Sequence, residues 1–273
     1  IDANKTAVAL SPDDPVAHIN LGDTLKELGR LEEALASFDQ AIALKPDLFA
    51  AHYNLGVTLQ VLGRLAEAEA SYVKAVALKP DFAGSHYNLG VTLQELGRLD
   101  ESEACYKQAI TLEPGFAEAH NNLGNALNEL GRADESEVCY KQAIALEPGF
   151  AEAHNNLGNA LNKLGKLAEA EVSFNQAIEL RPNYAEAHYN LAGTLQELGR
   201  LEEALASCSE ATVLKPDYAE AHNNLGITLR ELGRLDEAEA SYNTAIAFKP
   251  NFAEAHNNLG STLRELGRLD EAE

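Results

Sequence analysis

Apolar residues recur at intervals of three and four along this chain, in paired runs parted by glycine and closed by proline. In residues 117–130, His120, Leu123, Gly124, Leu127 and Leu130 share one side of a helix at about 100° per residue. Gly131 follows directly, where a left-handed residue closes a helix. A second run opens on Asp134 and Glu135, whose charge suits a helix N-terminus. It carries the interval on through Val138, Tyr140, Ala143, Ile144 and Leu146 until Pro148 ends it. The pattern predicts two antiparallel helices, brought close by the small residues Gly124 and Ala143.

This pair is copied. Pro46, Pro80, Pro114, Pro148, Pro182, Pro216 and Pro250 stand 34 residues apart. Such a period means stacked units that share their cores with their neighbours, so function belongs to a surface rather than to one pocket. The expected fold is all-α, an α-solenoid of antiparallel helix pairs forming a single array over 1–273. Full copies span 15–48, 49–82, 83–116, 117–150, 151–184, 185–218 and 219–252. The end of a preceding repeat occupies 1–14 and a truncated one 253–273. Absence of Met at residue 1 and a start inside a repeat suggest a fragment.

Copies four and five are near-duplicates, sharing PGFAEAHNNLGNALN at 114–128 and 148–162. Copy six departs, with Ala192 for glycine, Cys208 for the aromatic and Thr212 for an aliphatic residue. A lost ring and an added hydroxyl cost about 1–3 kcal/mol, so the softest joint is expected there.

The charge narrows the partners. Forty-three acidic residues against 21 basic ones give −22, which repels phosphate backbones and anionic lipid surfaces. Neither nucleic acid nor membrane is expected, no apolar run reaches the roughly 20 residues of a membrane span, and a cytoplasmic location is the default.

Catalytic chemistry finds no foothold. His18, His52, His86, His120, His154, His188, His222 and His256 all hold the fourth place of a copy. Equivalent places in stacked helices lie about 8–10 Å apart, too far for one metal, so a packing role is expected. Phosphate-loop, zinc-protease and nucleophile-elbow patterns are missing. Cys105 and Cys139 are too distant by the same spacing for a disulfide, and Cys208 reads as a small buried residue. The expectation is no enzyme, no metal and no cofactor.

The sixth place points to binding. Asn20, Asn54, Asn88, Asn122, Asn156, Asn190, Asn224 and Asn258 occupy it in every copy, on the side away from the apolar stripe. Exposed helix positions usually take better helix formers. An asparagine amide carries a donor and an acceptor and can clasp the backbone of an extended peptide; the structural alternative is that each amide bonds to the next copy's backbone, or is merely inherited. The second, fifth, ninth and twelfth places are expected to face outward beside it. Early copies set Val16, Ile19, Tyr53, Val57, Tyr87 and Val91 there. Later ones set Glu118, Glu152, Glu186, Glu220 and Glu254 at the second place, and mostly Asn121, Asn155, Tyr189, Asn223 and Asn257 at the fifth. The outward tyrosines are candidate anchors, and the acidic stretch favours a basic or polar segment despite Arg230 and Arg264.

Leu123, Gly124, the twentieth-place alanine of most copies, Tyr140, Ala143 and Pro148 together resemble the tetratricopeptide repeat over the whole chain. The resemblance implies a right-handed superhelix that binds other proteins. His replaces the family's usual Trp at the fourth place and Leu its usual Tyr at the eleventh. Lys and Arg are absent from the fifth and ninth places, which disfavours the carboxylate clamp of some members. The strings AEAHNNLGNAL and AEAHYNLAGTL look most like the repeat arm of protein O-GlcNAc transferases, a likeness that carries over only to the eight sixth-place asparagines. The leading expectation is therefore a scaffold that grips an extended peptide. Alternatives are the substrate-recruiting arm of a larger transferase whose sugar-transfer domain is absent, and a self-associating spacer.

Overall fold

The computed structural model describes residues 1–268 and 270. The chain falls into two compact units, residues 1–132 and 133–273, divided between the two helices of the fourth copy. Both are all-α: every regular element among the described residues is a helix.

The first unit runs α1 (Asp2–Leu10), α2 (Pro15–Glu27), α3 (Leu31–Leu44), α4 (Phe49–Val61), α5 (Leu65–Leu78), α6 (Ala83–Glu95), α7 (Leu99–Leu112) and α8 (Ala117–Glu129). Each helix packs on the next, and the first helices of successive copies, α2, α4, α6 and α8, also touch one another. Residues 1–14 take the place of a preceding second helix: α1 lies on α2, and Asn4 Nδ2 donates to Thr24 Oγ1 at 2.7 Å.

The second unit runs α9 (Ala133–Leu146), α10 (Ala151–Lys163), α11 (Leu167–Leu180), α12 (Ala185–Glu197), α13 (Leu201–Leu214), α14 (Ala219–Glu231), α15 (Leu235–Phe248) and α16 (Ala253–Glu265), with the same order of packing. The end of the truncated last copy, residues 269 and 271–273, lies outside the described residues.

The helix ends obey the local code. Gly29, at φ +72°, and its counterpart in each later copy adopt the left-handed conformation. The next residue then reaches back to close the turn, as in Arg30 N–H to the Leu25 carbonyl at 2.8 Å. Lys45 ends its helix in an extended conformation, and Lys79 leaves the helical region at φ -142°, ψ 80°, as the following prolines require.

The core is one contact repeated. A Cβ built on Gly56 would stand 2.8 Å from the Tyr72 ring, and on Gly158 2.6 Å from the Phe174 ring. Each ring is fully buried. The eighth-place glycine is therefore the floor on which the twenty-fourth-place ring lies, with leucines of the flanking helices around it. Copy six changes both partners together: Ala192 supplies a methyl and Cys208 withdraws the ring, and both are fully buried. Thr212 Oγ1 donates to the Ser209 carbonyl at 2.8 Å, so its hydroxyl is satisfied. The two departures thus change volume in opposite directions, one adding a methyl and the other removing a ring.

Gly56→Ala should accordingly lose about 1–3 kcal/mol to overpacking against Tyr72. In copy six the opposite dependence holds. Cys208→Tyr alone should destabilise by a similar amount, while Ala192→Gly with Cys208→Tyr should recover most of it. Denaturant unfolding of the single and double variants measures the coupling, and additive losses would show that the two places do not share space.

Candidate functional site: the first-helix face

The fourth-place histidines clasp the turn before their own helix. His52 Nε2 donates to the Pro46 carbonyl at 2.9 Å and His86 Nε2 to that of Pro80 at 2.9 Å. The same bond, over six residues, recurs at His18, His120, His154, His188, His222 and His256. Proline has forced the preceding residue out of the helix, and its carbonyl needs a donor. Packing was expected of these residues; their role is to pin the entry of each first helix.

The fifth place departs from expectation. On a single helix it points outward, yet Asn155 is 0 % exposed, Asn223 1 % and Asn121 6 %, and in the second unit the next copy covers Asn155 and Asn223. Asn257, in the truncated last copy, is exposed. Ile19 is buried and Tyr53, Tyr87 and Tyr189 are half-buried. The tyrosines pack against the aromatic residue that opens the next first helix: Tyr53 edge-on to Phe82 at 5.3 Å between centroids, and Tyr87 tilted on Phe116 at 4.7 Å and Tyr189 on Tyr218 at 5.1 Å. Burial holds the Tyr87 and Tyr189 hydroxyls above their ordinary pKa. Fifth-place residues therefore line the seam between copies rather than a free surface.

Sixth-place asparagines reach across that seam. Asn88 Nδ2 donates to Tyr53 Oη at 3.0 Å and Asn122 Nδ2 to Tyr87 Oη at 2.9 Å. In the second unit Asn190 Nδ2 donates to Asn155 Oδ1 and Asn258 Nδ2 to Asn223 Oδ1, both at 3.0 Å. Asn54 Oδ1 accepts from Lys26 Nζ at 3.4 Å. Asn121 Nδ2 donates to Asn122 Oδ1 at 3.2 Å. Asn156 is half-buried and engaged, while Asn20, in the first copy, is exposed. The alternative of a bond to the next copy's backbone is not the one formed: these bonds run to side chains of the preceding copy, and the amides stay partly open.

Twelfth-place residues extend the network, a feature unread in the sequence. Gln196 Nε2 donates to the Asn224 carbonyl at 3.2 Å and to Thr228 Oγ1 at 2.5 Å. Asn162 Nδ2 reaches Thr194 Oγ1 at 2.8 Å. The signal was present in the polar twelfth place of every copy.

Charge on this face is partly offset. Lys249 pairs with Glu220 at 2.7 Å and Arg181 with Glu152, and both carboxyls lie below the usual range. On the second helices Arg98 grips Glu101 at 2.6 Å and Glu69 of the previous copy at 2.7 Å. Burial pushes the Cys105 thiol up to about 11 and the Cys208 thiol up to about 12, which keeps both protonated. Among the described residues no three His, Cys, Asp or Glu side chains gather as metal ligands, and no helix is long and apolar enough to cross a membrane.

Family models described as TPR repeat match residues 22–63, 61–97, 93–131, 124–165, 193–229 and 228–267. Models described as tetratricopeptide repeat match 151–184, 3–36 and 173–206. No curated protein sequence matches the chain. Among solved structures, YrrB, "a TPR protein with an unusual peptide-binding site", is 25% identical, with 68% of this chain and 95% of that chain covered at a TM-score of 0.60. The MamA protein is also 25% identical, with 60% and 96% covered at 0.57. A tetratricopeptide repeat protein from Parabacteroides merdae is 19% identical, with 91% and 98% covered at 0.71, a likeness of fold.

The histidine clasp has a pH signature at His154. Burial outweighs its bond to Pro148 and lowers its pKa below 6.5. Folding thus favours the neutral ring: its contribution is full above the unfolded value, and it is lost as pH falls from there through the folded value. NMR titration should place His154 below 6.5; a midpoint at or above that value would contradict the burial argument.

Proposed function

The chain belongs to the tetratricopeptide repeat family, and on that premise we propose that its sixth-place asparagines hold an extended segment of another protein against the first-helix face of each unit. Repeats of this family are scaffolds for protein interaction. The observation that carries the reading is the sixth place itself: a polar amide in every copy, half-buried except at the exposed Asn20, and bonded to the copy before it at Asn54, Asn88, Asn122, Asn190 and Asn258. Such an amide is held still before a ligand arrives, which lowers the entropy cost of binding. The peptide-binding site of YrrB, at 25% identity, supports the same kind of ligand.

An extended chain rises about 3.3 Å per residue, so copies about 10 Å apart meet it every third residue. Each amide bond adds about 0.5–1.5 kcal/mol. The fifth-place Tyr53, Tyr87, Tyr189, Asn121, Asn155 and Asn223 support the rungs from behind. Glu118, Glu186 and Glu254 are exposed and favour a basic or polar segment. The recruiting-arm reading rests on the same asparagines and differs in what the captured segment is for.

Asn54→Ala with Asn88→Ala in the first unit, and Asn190→Ala with Asn224→Ala in the second, should lose captured partners while far-UV circular dichroism stays helical. Affinity capture followed by peptide arrays of each captured protein reads this. Equal capture and equal array binding by the variants would sink the ladder.

A further inference from the structure

Two sets of bonds in the second unit run in one direction. Asn155 Nδ2 donates to Glu186 Oε1 at 3.5 Å, and Asn190 Nδ2 donates to Asn155 Oδ1 at 3.0 Å. One copy pair further on, Asn223 Nδ2 donates to Glu254 Oε1 at 3.1 Å, and Asn258 Nδ2 to Asn223 Oδ1 at 3.0 Å. The middle asparagine of each relay is buried. An ionised carboxylate only accepts hydrogen bonds. Its presence at one end therefore decides which way the buried amide faces: nitrogen to the glutamate, oxygen to the sixth-place asparagine. That oxygen in turn decides the second amide, whose nitrogen must turn inward. Asn190 and Asn258 are left with an Oδ1 to which nothing donates among the described residues, and with one of their two N–H groups already spent.

We infer that Glu186 with Asn155, and Glu254 with Asn223, are polarity-setting residues that turn Asn190 and Asn258 into hydrogen-bond acceptors, so that these rungs take N–H donors of the bound segment. The inference rests on the reading of the sixth place as a ligand site. Its ligand is a chain that offers backbone N–H groups or basic side chains. The copies with a fifth-place tyrosine lack this control, because a hydroxyl donates as well as accepts and leaves the amide free to turn. Tyr53 serves Asn88 in this way. Acceptor character is thus written into two rungs of this unit by glutamates that need not touch the ligand.

The test uses the full chain and two synthetic probes, the peptide Ac-(Lys-Ala)4-NH2 and an analogue in which alternate backbone N–H groups are replaced by ester oxygen. NMR follows the side-chain amides of Asn190 and Asn258. In the free protein, one amide proton of each should exchange slowly in the wild type, and both should exchange fast after Glu186→Ala and Glu254→Ala; unchanged exchange overturns the relay whether or not a probe binds. The ester analogue should bind about tenfold more weakly than the peptide, and Glu254→Lys, which supplies a donor where an acceptor stood, should shrink that preference. Equal affinity of the two probes overturns the inference and leaves the ligand reading standing. Slow exchange with neither probe shifting the asparagines would sustain the relay and remove the ligand reading.

Discussion

In copies one, two, three, five and seven a ring of the second helix lies where a side chain of the first would otherwise stand. A Cβ at Gly22, Gly90 or Gly226 would come within 2.8 Å of Phe38, Tyr106 or Tyr242. This contact sets how closely the two helices approach, and much else follows from that distance. With the helices close, Tyr72 and Tyr106 bring their hydroxyls to the twelfth-place Gln60 and Gln94 at 3.0 and 2.9 Å. A wider pair would leave those hydroxyls buried without partners, a penalty of about 1–3 kcal/mol each. Copy six shows that the constraint is on summed volume. It keeps the pair closed with a methyl and a thiol in place of a hydrogen and a ring.

The bonds between copies are short in space and regular in sequence. Separations of 29 residues join Arg98 to Glu69, Arg200 to Glu171 and Lys249 to Glu220. Separations of 35 join Asn88 to Tyr53 and Asn258 to Asn223. Each links one copy only to the next, as expected of a stack whose stability is a sum over neighbours. The exposed ion pairs contribute little individually. Their structural weight lies elsewhere: Arg64, Arg98 and Arg200, each at the start of a second helix, are engaged by two glutamates, so their positive charges do little to offset the acidic surface.

The period, the helix pairs, the glycine turns and the close approach of small residues were legible because each depends on residues near one another in the chain. Gly131 closes its helix for reasons contained in a few residues around it. The fifth place was misread for the opposite reason. A helical wheel sees one helix, and on it Asn155 points away from the apolar stripe; burial comes from α12, a helix the wheel does not contain. A clue lay in the paired usage along the chain. Asn155 is followed in the next copy by Glu186, and Asn223 by Glu254, while Tyr53 is followed by Gly84, whose missing side chain leaves room near the hydroxyl. Histidine was read correctly as structural, but its partner is a proline carbonyl, which a residue-type argument cannot supply.

The sixth place then carries two demands at once, and their combination explains its composition. A bond across the seam needs a donor of short reach, which lysine or glutamine would overshoot and serine would not meet. A surface that holds a backbone needs an acceptor and a donor on one planar group. Asparagine alone answers both, at the expense of helix propensity of roughly 0.5 kcal/mol per copy relative to better formers. Either demand by itself would tolerate substitution: Ile19 and Tyr53 show how freely the fifth place varies where it serves only the seam. That the sixth place does not vary while its bonding partner changes among tyrosine, asparagine and lysine argues that the seam bond is not what holds it constant.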